Sequence, residues 1–255
     1  MNATGRFLII SLFTSGLLLV AGSSAADGWS AAELSAALDN PGRAQADKDR
    51  DEARRPADVI AFSGIEPGMT VLDVMASAGY YTEVLAAAVG EDGIVYAQNP
   101  IRMLQFRDGA TDKALTVRLA DDRLSNVVRM DGSLNEIDLA DGSLDAAFTA
   151  LNFHDTYYMA GNDAAVALLK TISGKLKPNG ILLLIDHVGN PDQDNAKLHR
   201  IPKQIAVDLV TEAGFVVESE SDVLSHPDDD KTQMVFGRDI RGKTDRFVLK
   251  LRKPG

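Results

Sequence analysis

From Thr70 to Ser221 the chain alternates short apolar runs with stretches of helical spacing, and no other feature narrows its possible folds as much. "TVLDVM" reads as a short buried strand after the turn signal Glu66-Pro67-Gly68. "YYTEVLAAAV" then repeats apolar positions at helical spacing until Gly90, where a left-handed cap is easiest for glycine. Asp92-Gly93 turns the chain into "IVYAQN", a second strand. Strand, helix and strand fall within about 30 residues, the length of one crossover unit. The alternation continues with a helical stretch near 112–120, "NVVRM" as a third strand, a turn at Asp141-Gly142 and "LDAAFTALNF" as a fourth. "AAVALLKTISGKL" makes the next helix, Lys177-Pro178-Asn179-Gly180 turns, and "ILLLIDH" is a strand so apolar that both faces must be covered. "IPKQIAVDLVTEAG" is a helix, and "FVVESES" and "DRFVLKLRK" are two successive strands expected to form an antiparallel edge across the long loop 222–244. Strands alternating with helices predict an α/β fold, a Rossmann-like doubly wound sheet with helices on both faces. Open sheets of this kind take ligands at the carboxyl ends of the strands, where the strand order reverses.

The amino terminus sets the expected compartment. One positive side chain in Met1–Arg6, an apolar run from Phe7 to Val20 and small residues from Ala21 to Ala26 have the order of a secretory signal, with cleavage after Ala25 or Ala26. That run is shorter than the roughly 20 residues a spanning helix needs. The expected organisation is a signal peptide over 1–26, a polar helical extension over 27–56 and one domain over 57–255, in a periplasmic or secreted protein without stable membrane insertion. The chain has no cysteine, which excludes disulfides and lipid attachment through a processed cysteine. A net charge of -11 without a basic cluster argues against nucleic acid as a partner. The charge run "DKDRDEARRPADVIAF" reads first as a solvated helix face, and otherwise as a lip over a pocket, since Arg54 and Arg55 lie close before the first strand.

Several strings, in order, carry a resemblance. Asp73 and Gly79 around the first turn, Gly93, Asp131, Asp145 and "LKPNG" are similar to the pattern of class I S-adenosylmethionine-dependent methyltransferases over 57–221. More narrowly, "GYYTEVLA", "VYAQN", "NFHD", "IDH", "LHRI", "HPDDDKT" and "IRGKTDRFVLKLRKP" resemble an exported bacterial group described as predicted methyltransferases. The resemblance implies about seven strands with the last antiparallel, S-adenosyl-L-methionine as cofactor, and a small molecule or exported polymer as methyl acceptor. It places Asp73, Ala76, Ser77, Gly79, Asn99, Asp131 and Asn152 around the cofactor. Asp73 would serve the ammonium, Asn99 would stand where an acid often holds the ribose, and Asp131 would lie near the adenine amino group. Asp131-Gly132 also reads simply as a turn.

The family's acid-x-Gly-x-Gly-x-Gly maps onto Asp73, Met75, Ser77 and Gly79, so two glycines are replaced. Ala76, Ser77 and Ala78 are small, and close approach to their backbone survives if their φ angles are negative. Met75 must either turn into the core or occupy the ligand's space. Forced left-handed geometry costs a non-glycine residue roughly 1 to 2 kcal/mol, which a stable domain tolerates. A nicotinamide cofactor fits worse, because its fingerprint needs G-x-G-x-x-G and this loop has one glycine.

Methyl transfer is an in-line displacement that needs alignment and often a base. His154 and His187 follow the fourth and fifth strands, which neighbour each other in the family's strand order, so Asn152, His154, Asp155, Asp186 and His187 are expected around one crevice, joined by His199. His154 is the expected base, with Asp155 orienting it, Tyr157 or Tyr158 lining the substrate side and His187 as a further catalytic candidate. No tight spacing such as H-x-x-x-H marks a metal site, and none is assigned. Asp228–Asp230 beside His226 read as a solvent-exposed acidic loop, or as one folded over the sheet end. The rival functions are an exported binding or scaffold protein that keeps the fold and, more weakly, a metal-dependent hydrolase.

Overall fold

A computed structural model describes Met1 and residues 28–255. The expected signal peptide, apart from Met1, lies outside the described residues. Among the described residues no helix is long and apolar enough to cross a membrane.

The sheet holds seven strands: β1 (Thr70–Val74), β2 (Ile94–Asn99), β3 (Val127–Asp131), β4 (Leu144–Ala150), β5 (Leu176–His187), β6 (Val216–Ser221) and β7 (Arg246–Arg252). Their order is β3-β2-β1-β4-β5-β7-β6. The first five pair in parallel, and β7 runs antiparallel to both β5 and β6. The antiparallel pair expected at the end of the chain is present, with β7 inserted so that β6 is the outermost strand. Strand order reverses at β1, which is flanked by β2 and β4. The crevice that such sheets offer to ligands is therefore at the carboxyl ends of β1 and β4.

Ten helices, counted among the described residues, accompany the sheet. α1 (Ala31–Leu38), α2 (Gln45–Lys48), α3 (Asp51–Arg54) and α4 (Pro56–Ser63) precede β1, and α5 (Tyr80–Val89) and α6 (Ile101–Leu119) flank β2. α7 (Phe153–Ala160) and α8 (Asn162–Lys175) join β4 to β5, while α9 (Asn195–Leu198) and α10 (Lys203–Glu212) join β5 to β6. Strand alternation sends Leu72 and Val74 into a core shared with α8 and α10, and Val71 into a second core shared with α1, α4 and α5. Asp73 follows Val71 to that second face, where Thr82 of α5 meets its carboxylate.

Three local expectations change. The helical stretch near 112–120 is the end of the longer α6, whose residues Phe106–Gly109 leave helical geometry with Arg107, Asp108 and Gly109 at positive φ. The turn at Lys177–Gly180 lies within β5: Asn179 has φ 62, and the ladder to β4 skips from Leu176 to Ile181. The charge run before β1 is only partly a solvated face: Asp49, Arg50, Glu52 and Arg55 are exposed, but Asp47 is buried, as is Arg43 just before the run. Arg118 of α6 ties this segment down, donating to Asp47 at 2.6 Å, to Glu83 of α5 and to the carbonyl of Ala78 at 2.8 Å. α1 opens with a capping box between Ser30 and Glu33 and buries Leu34 and Leu38 against α4 and α5.

Candidate functional site

β1 ends into the loop 75–79, and its backbone answers the question that the missing glycines raise. Met75, Ser77 and Gly79 have φ angles of 54, 54 and 81, so all three glycine positions of the pattern are left-handed although two carry side chains. The condition that Ser77 have negative φ fails. What holds this geometry is a set of buried amide side chains. Asn99, at the end of β2, accepts from the Ser77 N–H at 2.7 Å and donates to the Ser77 carbonyl at 3.1 Å. Gln98 accepts from the Met75 N–H at 3.1 Å and donates to the Gly132 carbonyl at 2.6 Å. Asn152, just before α7, donates to the Met75 carbonyl at 3.2 Å and accepts from the Thr149 hydroxyl at 2.7 Å. Met75 itself packs against the core that holds Leu72 and Val74. Ala76 is buried and its N–H donates to the Gln98 carbonyl at 2.9 Å. At Gly79 an added Cβ would lie 2.9 Å from side-chain atoms of both Leu115 and Arg118, so the close packing of α6 also requires glycine there.

These contacts revise the cofactor-side expectations. Asn99 is fully buried and both its amide atoms are engaged by Ser77, so it positions the loop and does not stand free for ribose hydroxyls. Asn152 likewise serves the loop backbone. Asp131 ends β3 beside Asn99 and is paired with Arg129 at 2.8 Å. Asp73 accepts from the Thr82 hydroxyl at 2.6 Å, and burial pushes its carboxyl up to about 7 despite that bond.

The histidine cluster stands at the same sheet edge, on the ends of β4 and β5. Asp186 is fully buried and accepts three hydrogen bonds: from the His154 backbone N–H at 2.8 Å, the His154 Nδ1 at 2.7 Å and the His187 backbone N–H at 2.7 Å. The orienting partner of His154 is therefore Asp186. Asp155, expected in that role, lies on the opposite side of the ring, with Oδ1 3.4 Å from Nε2. Burial works against charge on His154, but the carboxylates of Asp186 and Asp155 outweigh it and raise its pKa above the ordinary histidine value. Burial would also raise Asp186, yet His154 and the hydrogen bonds hold it below the usual carboxylate range. His187 is different: burial pushes it down to about 3, and its Nδ1 meets the Thr244 hydroxyl at 2.8 Å, so it is a neutral ring beside the site and a poor proton acceptor. Tyr157 and Tyr158 are half-buried and pack against the core. His199 joins the cluster as expected, its Nδ1 3.1 Å from Asp155 Oδ1.

Three more residues matter. Arg200 and Asp229 form a fully buried pair at 2.7 and 3.1 Å that anchors the loop 222–244, so Asp229 is not the solvent-exposed acid its run suggests. Gln98 was legible in principle, as a polar residue inside an apolar strand, since buried polar groups are the informative ones.

No protein-family model matches the chain, and no curated protein matches it. Solved structures do. A SAM-dependent methyltransferase from Aquifex aeolicus is 24% identical with a TM-score of 0.60, over 88% of this chain and 98% of that one. The chain has the Rossmann-like methyltransferase fold. The [4+2]-cyclase SpnF is 18% identical with a TM-score of 0.56, over 85% of each chain. Phosphoethanolamine N-methyltransferase 2 of Haemonchus contortus, in complex with S-adenosyl-L-methionine, is 14% identical with a TM-score of 0.56, over 79% of this chain and 53% of that one.

Proposed function

We propose that the chain is an exported S-adenosylmethionine-dependent methyltransferase acting on a small molecule or an exported polymer. One observation carries this reading: positions 75, 77 and 79 keep left-handed φ although two of the three lack glycine. Left-handed non-glycine residues also occur elsewhere, as at Arg107, Asp108 and Asn179, but here two fall on the pattern's own glycine positions, each at a cost of roughly 1 to 2 kcal/mol. Strain of this kind persists where the surroundings over-determine it, and it collects at ligand sites.

Ala76 and Ala78 are small and stay out of the left-handed region, so the donor's close approach would be at their backbone, with Ser77 the position that departs from that condition. Asp73 and the first amides of α5, from Tyr80 to Thr82, would hold its amino-acid end, and Asp131 would stand on the adenine side. When bound, the donor supplies a methyl group on a sulfonium. His154 would take the acceptor's proton at Nε2, while Asp186 holds Nδ1–H, fixes the ring and stabilises the imidazolium that forms. Such a base contributes typically about 10²- to 10⁴-fold, beside the roughly 7 to 11 kcal/mol available from alignment. The second reading, an exported binding protein on the same fold, draws support from Asn99 being engaged by Ser77.

The test is label transfer. Protein incubated with methyl-labelled donor and an unfractionated extract of metabolites and envelope polymers should label an acceptor, and His154→Ala should slow this by about 10²-fold or more. Undiminished transfer by the variant would remove His154 from the chemistry. A protein that binds donor and labels nothing would favour the binding reading.

A further inference from the structure

We infer that His154, Asp155 and His199 form a binding site for a divalent transition-metal ion, with zinc as the first candidate. His154 is 2% exposed, and among the described residues its Nε2 has no hydrogen-bond partner. A buried polar atom left in that state is costly unless something satisfies it. Asp186, which can only accept, fixes a proton on Nδ1, so the neutral form of the ring, the form an ion binds, presents the Nε2 lone pair to the side where Asp155 stands. That Asp155 oxygen is 3.4 Å from Nε2 and 3.1 Å from His199 Nδ1, and the three donor atoms lie within 4.8 Å of one another.

The spacing suits an ion. Two ligands about 2.1 Å from a tetrahedral centre stand about 3.4 Å apart, so both separations from Asp155 are already close to those of coordinated pairs. The remaining gap, from His154 to His199, is at most 4.8 Å and would be closed by a turn of the His199 ring, whose side chain is 32% exposed. Asp155, at 42%, gives an ion its entry path from solvent. A carboxylate behind a ligating histidine, as Asp186 stands here, is the usual device that fixes such a ligand's orientation. Two histidines and one carboxylate leave a coordination position open, as catalytic metal sites do.

The inference stands apart from the transfer reading. An ion on Nε2 takes the lone pair that a general base needs, so the metal-loaded and base-competent forms of His154 are alternative states of one residue.

The experiment is titration of purified, chelator-stripped protein with Zn²⁺ in competition with a chromophoric chelator, and with Co²⁺ followed by its visible spectrum. One Zn²⁺ per chain is expected, with a Co²⁺ spectrum of low coordination number that Zn²⁺ abolishes. His199→Ala and Asp155→Ala, which touch no core packing, should lose the site. Asp186→Asn should weaken it about 10- to 100-fold. Binding that is absent, or that survives both alanine variants because exposed Asp228 or Asp230 supplies it, overturns the proposal. Affinity for S-adenosylhomocysteine, measured on the same samples, reports the loop separately, so failure of one reading is distinguishable from failure of the other.

Discussion

Asn99 contributes to the loop by holding another residue's backbone. Its two hydrogen bonds to Ser77 stabilise a left-handed residue that glycine would adopt freely, so the pin and the strain belong together. Asn99→Ala should destabilise the protein by about 1 to 3 kcal/mol in urea unfolding, because it removes two hydrogen bonds that hold the exposed Ser77 backbone. Ser77→Gly should be neutral or stabilising by up to about 1 kcal/mol, the relief of strain set against the added freedom of the unfolded chain. Combined, they should couple: the asparagine loss costs less in the glycine background, and equal losses in both backgrounds would show that the pin does not oppose strain. Asp73 carries a second liability. Its folded pKa near 7 lies above the unfolded value, so between about pH 4 and pH 7 the native state holds a proton that the unfolded chain has released, and stability falls as pH rises through that window. A buried carboxyl kept at such a cost has a use if a cationic ligand group meets it once ionised.

At the scale of elements, the segment before β1 is held to the loop side of the sheet by charge. Arg118 of α6 bridges Asp47 of α2 and Glu83 of α5, Arg123 also reaches Glu83, and Asp51 accepts from the Tyr80 hydroxyl at 2.6 Å. All three side chains of the Arg118 bridge are nearly buried. Asp47→Asn should therefore cost about 3 kcal/mol, the penalty for leaving a buried charge short of its partner, and should open residues 40–55 to limited proteolysis before global unfolding. Unfolding and cleavage indistinguishable from the parent would show the bridge to be ornamental. The sequence concealed this network because "DKDRDEARR" looks the same whether its charges face water or each other; Arg118, the partner of Asp47, lies 71 residues away, and Glu83, which shares it, is 35 residues from Arg118. The strands were legible for the opposite reason. Their signal is local, as in "ILLLIDH", where burial on both faces demands an unbroken apolar run. Asp186 shows the limit: its place at the end of that run could be read, but whether Asp155 or Asp186 orients His154 depends on which side of the ring each strand end approaches.

Over the whole molecule, the order β3-β2-β1-β4-β5-β7-β6 gathers the loop after β1, the buried amides of β2 and the histidines after β4 and β5 at one edge of one sheet. Alternation of strands and helices is enough to predict the layers, and the glycine-poor loop is enough to pose the question of binding. The angles at Met75 and Ser77 are not local preferences of those residues; they follow from hydrogen bonds to strands that pair 20 residues or more away. The central claim, that this loop is a donor site, is tested most directly by calorimetric titration of the protein with S-adenosylhomocysteine across pH. Micromolar binding is expected that tightens as pH rises through about 7, when Asp73 becomes a carboxylate able to pair with the ligand's ammonium, and that Asp73→Ala both weakens and frees of this pH dependence. No heat at millimolar ligand, or binding that Asp73→Ala leaves unchanged, would contradict the account.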